Sequence, residues 1–188
     1  MELKPKIVLK DKNASASVGT IKQMRIVLQW KAKVDLDLML FGKNKDGSNF
    51  SIFTKRLGGS QGDLNSFPFI NMEDDAGVDL KDGDKEEFIT INKIDASVDE
   101  LYIVCLNYTD ASEGNSVSFS NYDASINMVK EDGSCLVQGQ LNSTETGVAA
   151  HLCTIKNGAI GAEFINVGKI MSLDTLVTTI PGANALTK

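Results

Sequence analysis

The fold is decided by residues 23–42, which read QMRIVLQWKAKVDLDLMLFG. In the first half of this stretch, apolar residues occupy every second position: Met24, Ile26, Leu28 and Trp30. In the second half, leucines do the same at positions 36, 38 and 40. A period of two is that of a β-strand with one face against a core. The stretch therefore predicts two strands of a mainly β protein.

Apolar residues at mostly two-residue spacing predict further strands along the chain. They cover residues 6–10, 50–54, 88–92, 100–109, 124–130, 134–141, 148–156 and 159–167. Asp46-Gly47, Asp132-Gly133 and Asn157-Gly158 lie between runs and are dipeptides that supply the positive φ of tight hairpin turns. About ten strands of this length favour a sandwich of two antiparallel sheets around one core.

One short helix and one long loop complete this prediction. SLDTLVTTIPG predicts a C-terminal helix that Ser172 caps and that stops at Pro181-Gly182. No linker composition divides the chain, so we expect residues 1–188 to form a single domain. The stretch at about 58–84 reads as a long loop, and long loops within compact domains are often functional.

The negative charge of the chain is concentrated in one segment. The net charge is −6 over 188 residues, and residues 73–87 hold eight of the 25 carboxylates but only two lysines, so this segment carries all of it. The net negative charge argues against the basic surface that nucleic-acid binding requires. The sequence lacks both an apolar run of membrane-spanning length and a signal-like start, and its three cysteines form no CxxC pair. We expect a cytoplasmic protein without a membrane span.

The acidic segment and the strand aspartates together indicate a cation site. Clustered carboxylates repel one another, so the segment either stays in water as a solvated acidic loop or closes on a cation. Its spacing does not match an EF-hand, because Glu87 and Lys93 stand where that loop has its glycine and its bidentate glutamate. Asp35 and Asp37 share one face of an apolar strand, where aspartate is disfavoured. Calcium is the natural partner, since it accepts six to eight hard oxygens at irregular angles.

These residues resemble, in order, the motifs of the TerD family of tellurium-resistance and stress-response proteins. The matching segments are VDLDLML (34–40), DLKDGDKEEFITIN (79–92), VDELYIVCLNYTDA (98–111) and ASINMV (124–129). The resemblance implies a calcium-binding β-sandwich with no enzymatic activity. Carried over by position, it implies metal ligands at Asp35, Asp37, Asp79, Asp82, Asp84 and Glu87, with Asp75 as a looser match.

The residues themselves also argue against an enzyme. His151, the only histidine, alternates with Ala149, Cys153 and Ile155, which predicts that it faces a core rather than a cleft. Nucleotide-binding glycine patterns and a nucleophile elbow are absent from the sequence. Paired carboxylates for glycoside hydrolysis would need an aromatic sugar platform, and the chain has one tryptophan and three tyrosines.

An apolar segment leaves a second function open. SFPFI (66–70) is apolar within a polar loop and places Phe67, Phe69 and Ile70 in a candidate docking patch for a protein partner or a second copy. The alternative is that this segment folds back onto its own core. Docking through residues 60–72 or the termini would suit a structural or decoration subunit of a larger assembly such as a phage particle. The location would then be the virion instead of the cytoplasm.

Overall fold

The computed structural model describes residues 5–73, 85–141 and 143–187. Most of them lie in strands, which in chain order are β1 Ile7–Leu9, β2 Ser15–Gly19, β3 Lys22–Trp30, β4 Leu36–Asn44, β5 Asn49–Ile52, β6 Gly62–Asp63, β7 Ile70–Met72, β8 Lys85–Lys93, β9 Val98–Asn107, β10 Val117–Ser118, β11 Ser125–Lys130, β12 Cys135–Gln140, β13 Thr146–Gly147, β14 Ala149–Gly158 and β15 Gly161–Met171. The α-helices are α1 Tyr108–Glu113 and α2 Leu173–Thr179. Single 3₁₀ turns cover Lys55–Leu57, Phe119–Tyr122 and Ala183–Thr187.

The strands form two large sheets, so the predicted β-sandwich is confirmed. One sheet has seven strands in the order β1-β12-β11-β3-β8-β7-β6, and the other has six in the order β2-β15-β14-β9-β4-β5. Neighbours are antiparallel except for β1, which runs parallel to β12 at one edge. A short pair, β10 with β13, stands apart from both sheets.

The alternating residues of β3 and β4 fill the core between the sheets. Met24, Ile26, Leu28 and Trp30 all belong to one buried cluster together with Leu36, Leu38 and Leu40. The opposite face of β4 carries Met39 and Phe41, which pack in a second cluster with Leu176 of α2. Because α2 covers this outer face, both faces of β4 are buried along much of its length.

The C-terminal helix forms as its sequence predicts. The hydroxyl of Ser172 accepts a hydrogen bond from the backbone N–H of Thr175, which caps the N-terminus of α2. The helix ends at Thr179, just before Pro181. The helices found in the described residues fall short of what a bilayer-spanning segment needs.

Some local features differ from the sequence prediction. The run expected to be a strand over residues 100–109 ends at Asn107 and turns into α1, because the Asn107 side chain accepts a hydrogen bond from the N–H of Asp110 and caps a helix. The last hairpin turns at residues 159–160 rather than at Asn157-Gly158, since Asn157 still pairs with Ala162. Strand β2 was not predicted.

The stretch expected to be a long loop at about 58–84 contains two short strands. Strands β6 and β7 pair with each other, and β7 pairs with β8, so residues 62–72 extend the seven-stranded sheet at its edge. The carboxylate of Asp63 accepts hydrogen bonds from the N–H groups of Asn65 and Ser66, which fixes the turn between the two strands. The rest of the expected loop, residues 74–84, lies outside the described residues.

Candidate metal centre at the start of strand β4

The start of β4 places two aspartates side by side. Leu36 and Leu38 point into the core between the sheets, so Asp35 and Asp37 share the opposite face of the strand, as the sequence predicts. Asp35 is 6% exposed and Asp37 is 1% exposed. Buried carboxylates are costly unless a cation or hydrogen-bond donors compensate them. The site therefore depends on what faces these two side chains.

Arg56 faces both aspartates. Its Nη2 atom donates to Asp35 Oδ2 at 3.1 Å and to Asp37 Oδ1 at 2.8 Å. Arg56 lies in the 3₁₀ turn Lys55–Leu57 that follows β5, and Thr54 Oγ1 accepts a hydrogen bond from its backbone N–H at 3.3 Å. About a third of the Arg56 side chain, 34%, remains exposed. One guanidinium thus bridges the two buried carboxylates from the solvent side.

The first residues of α1 support the same site from another direction. The Arg56 Cζ atom lies 4.7 Å from the ring centroid of Tyr108, a cation–π contact. The N–H of Tyr108 donates to the carbonyl of Asp35, and Thr109 Oγ1 accepts from the N–H of Asp35. The backbone of Asp35 is therefore tied to α1 while its side chain is tied to Arg56.

Glu87 approaches β4 from the other sheet. It is 4% exposed, and its Oε2 atom accepts a hydrogen bond from the backbone N–H of Leu38 at 2.7 Å. In the described residues, β5 pairs with β4 only from Leu40 onward, so Glu87 supplies an acceptor to an edge amide that β5 does not reach. Burial, and after it the negative charge of Glu87 and Asp37, raises the pKa of the nearby Cys105 thiol.

The other predicted ligands are placed differently. Asp75, Asp79, Asp82 and Asp84 lie outside the described residues. Within the described ranges, no three histidine, cysteine, aspartate or glutamate side chains come together as a metal-binding group. What the structure does bring together is the pair Asp35 and Asp37, with Glu87 on the opposite side of the same strand.

A second buried carboxylate, Asp110, lies close by at the start of α1. It is 9% exposed, and its Oδ2 atom accepts hydrogen bonds from Asn107 Nδ2 at 2.6 Å and from the Tyr122 hydroxyl at 3.2 Å. Its Oδ1 atom accepts from Asn115 Nδ2 at 3.3 Å. Burial, followed by the charge of Asp110 and the hydrogen bond to it, raises the pKa of Tyr122 to about 12, so this hydroxyl stays a donor at neutral pH.

The candidate docking patch is divided between surface and core. Phe67 is 45% exposed and packs edge-on against Phe50, with 5.2 Å between the ring centroids. Phe69 has a φ of 60° and lies beneath the Lys93 ammonium, which is 3.9 Å from its ring centroid. Ile70 is fully buried in the core between the sheets. Of these three residues, Phe67 presents the most aromatic surface to solvent.

His151 does not share a face with Cys153, contrary to the sequence interpretation. A β-bulge in β14 between these residues shifts the alternation, so Cys153 enters the core while His151 packs against Tyr102, with ring centroids 5.8 Å apart. His151 Nε2 is 2.9 Å from Thr154 Oγ1. Burial lowers the pKa of His151 to about 4, so it is neutral at pH 7.

Sequence reasoning missed Arg56 and Asp110. The pattern Asn107-x-x-Asp110 is a helix-start signal and could have revealed α1. Arg56 gave no local signal, since it lies 21 and 19 residues from its two partners. Neither a scan against protein-family models nor a search of curated proteins found a match for this chain.

Proposed function

We propose that this protein is a non-enzymatic, calcium-binding protein of the TerD type that acts in tellurium resistance or the stress response. The observation that carries the proposal is the pair Asp35 and Asp37: two nearly buried carboxylates on one face that already hold a cationic group between them. The order of the motifs along the sequence supports the family, and the cytoplasm is the compartment that fits the cysteine pattern.

The chemistry of the donors fits calcium. Asp35 and Asp37 offer hard oxygens from one rigid strand, and the acidic segment that would supply Asp75, Asp79, Asp82 and Asp84 leads directly into β8. Glu87, near the start of β8, lies on the other side of β4 and would support the site by accepting the hydrogen bond from the N–H of Leu38. Bound calcium would neutralise these carboxylates and link the acidic segment to the sandwich. The fold holds Asp35 and Asp37 in place through the contact of Asp35 with α1 and through the pairing of β4 with β9.

Thermal melts in EDTA and in millimolar calcium test the proposal. Calcium at 100 times its Kd should stabilise the fold by about 2.7 kcal/mol, which for a domain of this size raises the melting midpoint by roughly 5–10 °C. The double variant Asp35→Asn, Asp37→Asn should lose most of this shift. Asp110→Asn is the matched control, because it neutralises a buried aspartate of the neighbouring network and should keep the shift. No shift in the wild type, or an equal shift in the double variant, would overturn the proposal.

A second function, as a structural or decoration subunit of a larger assembly, is favoured by the exposed ring of Phe67. An aromatic residue at the surface is a common anchor of protein interfaces. Light scattering should then show a mass above the monomer for the wild type and a monomer for Phe67→Ser. Ile160→Ser removes an even more exposed apolar residue, from the hairpin between β14 and β15, and serves as the control. A monomeric wild type at high concentration would remove self-assembly from consideration.

A further inference from the structure

We infer that Arg56 is an internal counter-cation that competes with calcium for Asp35 and Asp37, so that loading of the site requires Arg56 to leave. The inference rests on the calcium site proposed above and adds its regulation. A single nitrogen, Nη2 of Arg56, lies within hydrogen-bond distance of a carboxylate oxygen from each aspartate.

A guanidinium and a divalent cation cannot both take this position. The Arg56 nitrogen lies between Asp35 Oδ2 and Asp37 Oδ1, in the place that a metal bound by these same two oxygens would take. Two cations at contact distance would repel each other strongly in a site as buried as Asp37, which is 1% exposed. Calcium and Arg56 are therefore alternative partners of the same oxygens, and each must weaken the binding of the other by the same factor.

The surroundings of Arg56 allow it to move. Its turn, Lys55–Leu57, contains no buried residue, and its side chain enters the site from solvent. Gly58 ends the turn with a φ of 81°, a conformation that glycine adopts without strain. The carboxylates have no such freedom, since Asp37 is paired with Leu106 in the ladder between β4 and β9 and Asp35 is fastened to α1. The cation, not the anions, is the mobile partner.

The competition sets the calcium level at which the site loads. Without calcium, Arg56 compensates the two buried carboxylates and the fold remains stable. Calcium has to displace this charge before it binds, so its affinity is lower than the two aspartates would give without Arg56. The site then responds to a rise in calcium rather than holding the ion permanently.

Calcium titration calorimetry on two variants tests the inference. Arg56→Met should bind calcium about tenfold more tightly than the wild type, while Lys55→Met, which removes an equal charge from the exposed neighbouring position, should bind as the wild type does. Equal affinity of Arg56→Met and Lys55→Met would overturn the competition and leave the calcium proposal standing. No binding to any of the three proteins would overturn both.

Chemical modification of the wild-type protein provides a second measurement that needs no variant to fold. The chain has two arginines, Arg25 and Arg56, so a dicarbonyl reagent followed by mass spectrometry reports on each separately. Arg25 stacks on Phe88, and both residues belong to the seven-stranded sheet, which does not contain the site. Arg25 therefore serves as the internal reference. Calcium should speed the modification of Arg56 severalfold relative to Arg25. An unchanged ratio of the two rates under conditions where calcium binds would show that Arg56 stays in place.

Discussion

Two neighbouring sites bury aspartates at the same end of the six-stranded sheet and compensate them in different ways. Asp35 and Asp37 are held by the charge of Arg56, whereas Asp110 accepts hydrogen bonds from the neutral groups of Asn107, Tyr122 and Asn115. The sites are close, because Leu36 pairs with Asn107 where β4 and β9 meet. One cation can be exchanged for another, whereas three hydrogen-bond donors in fixed positions cannot be replaced by a cation. The difference marks the first site as a candidate for binding and the second as structural.

The largest loss of stability should come from removing the positive charge of Arg56 at the first site. Arg56→Met leaves two buried carboxylates uncompensated, and breaking a buried ion pair costs 3–5 kcal/mol, so with Arg56 partly exposed we expect a loss of about 3 kcal/mol in EDTA. Adding Asp35→Asn and Asp37→Asn to this variant removes the uncompensated charges. Urea denaturation should show that the triple variant recovers at least half of the loss. A triple variant as unstable as Arg56→Met would mean that Arg56 acts through packing on Tyr108 instead.

Predictability from sequence also differs between the two sites. The period of two in β4 was enough to place Asp35 and Asp37 on one face, because strand geometry is local. Arg56 could not be assigned, since its contact depends on where β5 ends and on the 3₁₀ turn that follows. Only part of the Asp110 network is predictable from the sequence. The capping pattern with Asn107 is local, but Tyr122 belongs to a separate 3₁₀ turn whose position depends on the fold.

The same limit applies to the rest of the fold. The two sheets follow from alternation and turn dipeptides, while the face of His151 does not, because a single bulge reverses the alternation and leaves no mark in the sequence. The strands of residues 62–72 were missed because each is only two or three residues long. Such short strands are stabilised by pairing to β8 rather than by their own pattern.

His151 shows a third way to bury a titratable group, which is to keep it neutral. Its pKa is lowered to about 4 in the folded protein from an ordinary value of 6.5, so the unfolded chain binds more protons between these two pH values. Stability should be complete above pH 6.5 and fall as the pH drops toward 4, by about 2 kcal/mol at pH 5. Denaturation of the wild type and of His151→Gln between pH 7 and pH 5 measures this. The variant should lose less stability over that range, and equal losses would contradict the assignment.

The neutral network should tolerate the loss of one donor better than the charged site does. Tyr122→Phe removes the hydroxyl that donates to Asp110 and accepts from Asn107, and we expect a cost of about 1 kcal/mol, the usual net value of one hydrogen bond. The calcium-induced shift in the melting midpoint should be the same as in the wild type. If Tyr122→Phe also removed that shift, the two sites would be coupled and the division between binding and structure would not hold.

The smallest effect on stability should come from an ion pair with a comparable nitrogen–oxygen distance but exposed side chains. Lys12 Nζ lies 3.0 Å from Glu145 Oε2, a distance comparable to the contacts of Arg56, yet the two side chains are 50% and 56% exposed. Water already solvates both groups, so the pair adds little and salt screens what it adds. Lys12→Gln should leave the melting midpoint unchanged within error in EDTA and in calcium. A drop as large as that of Arg56→Met would mean that ion pairing by itself, rather than burial of the carboxylates, gives the Arg56 site its importance.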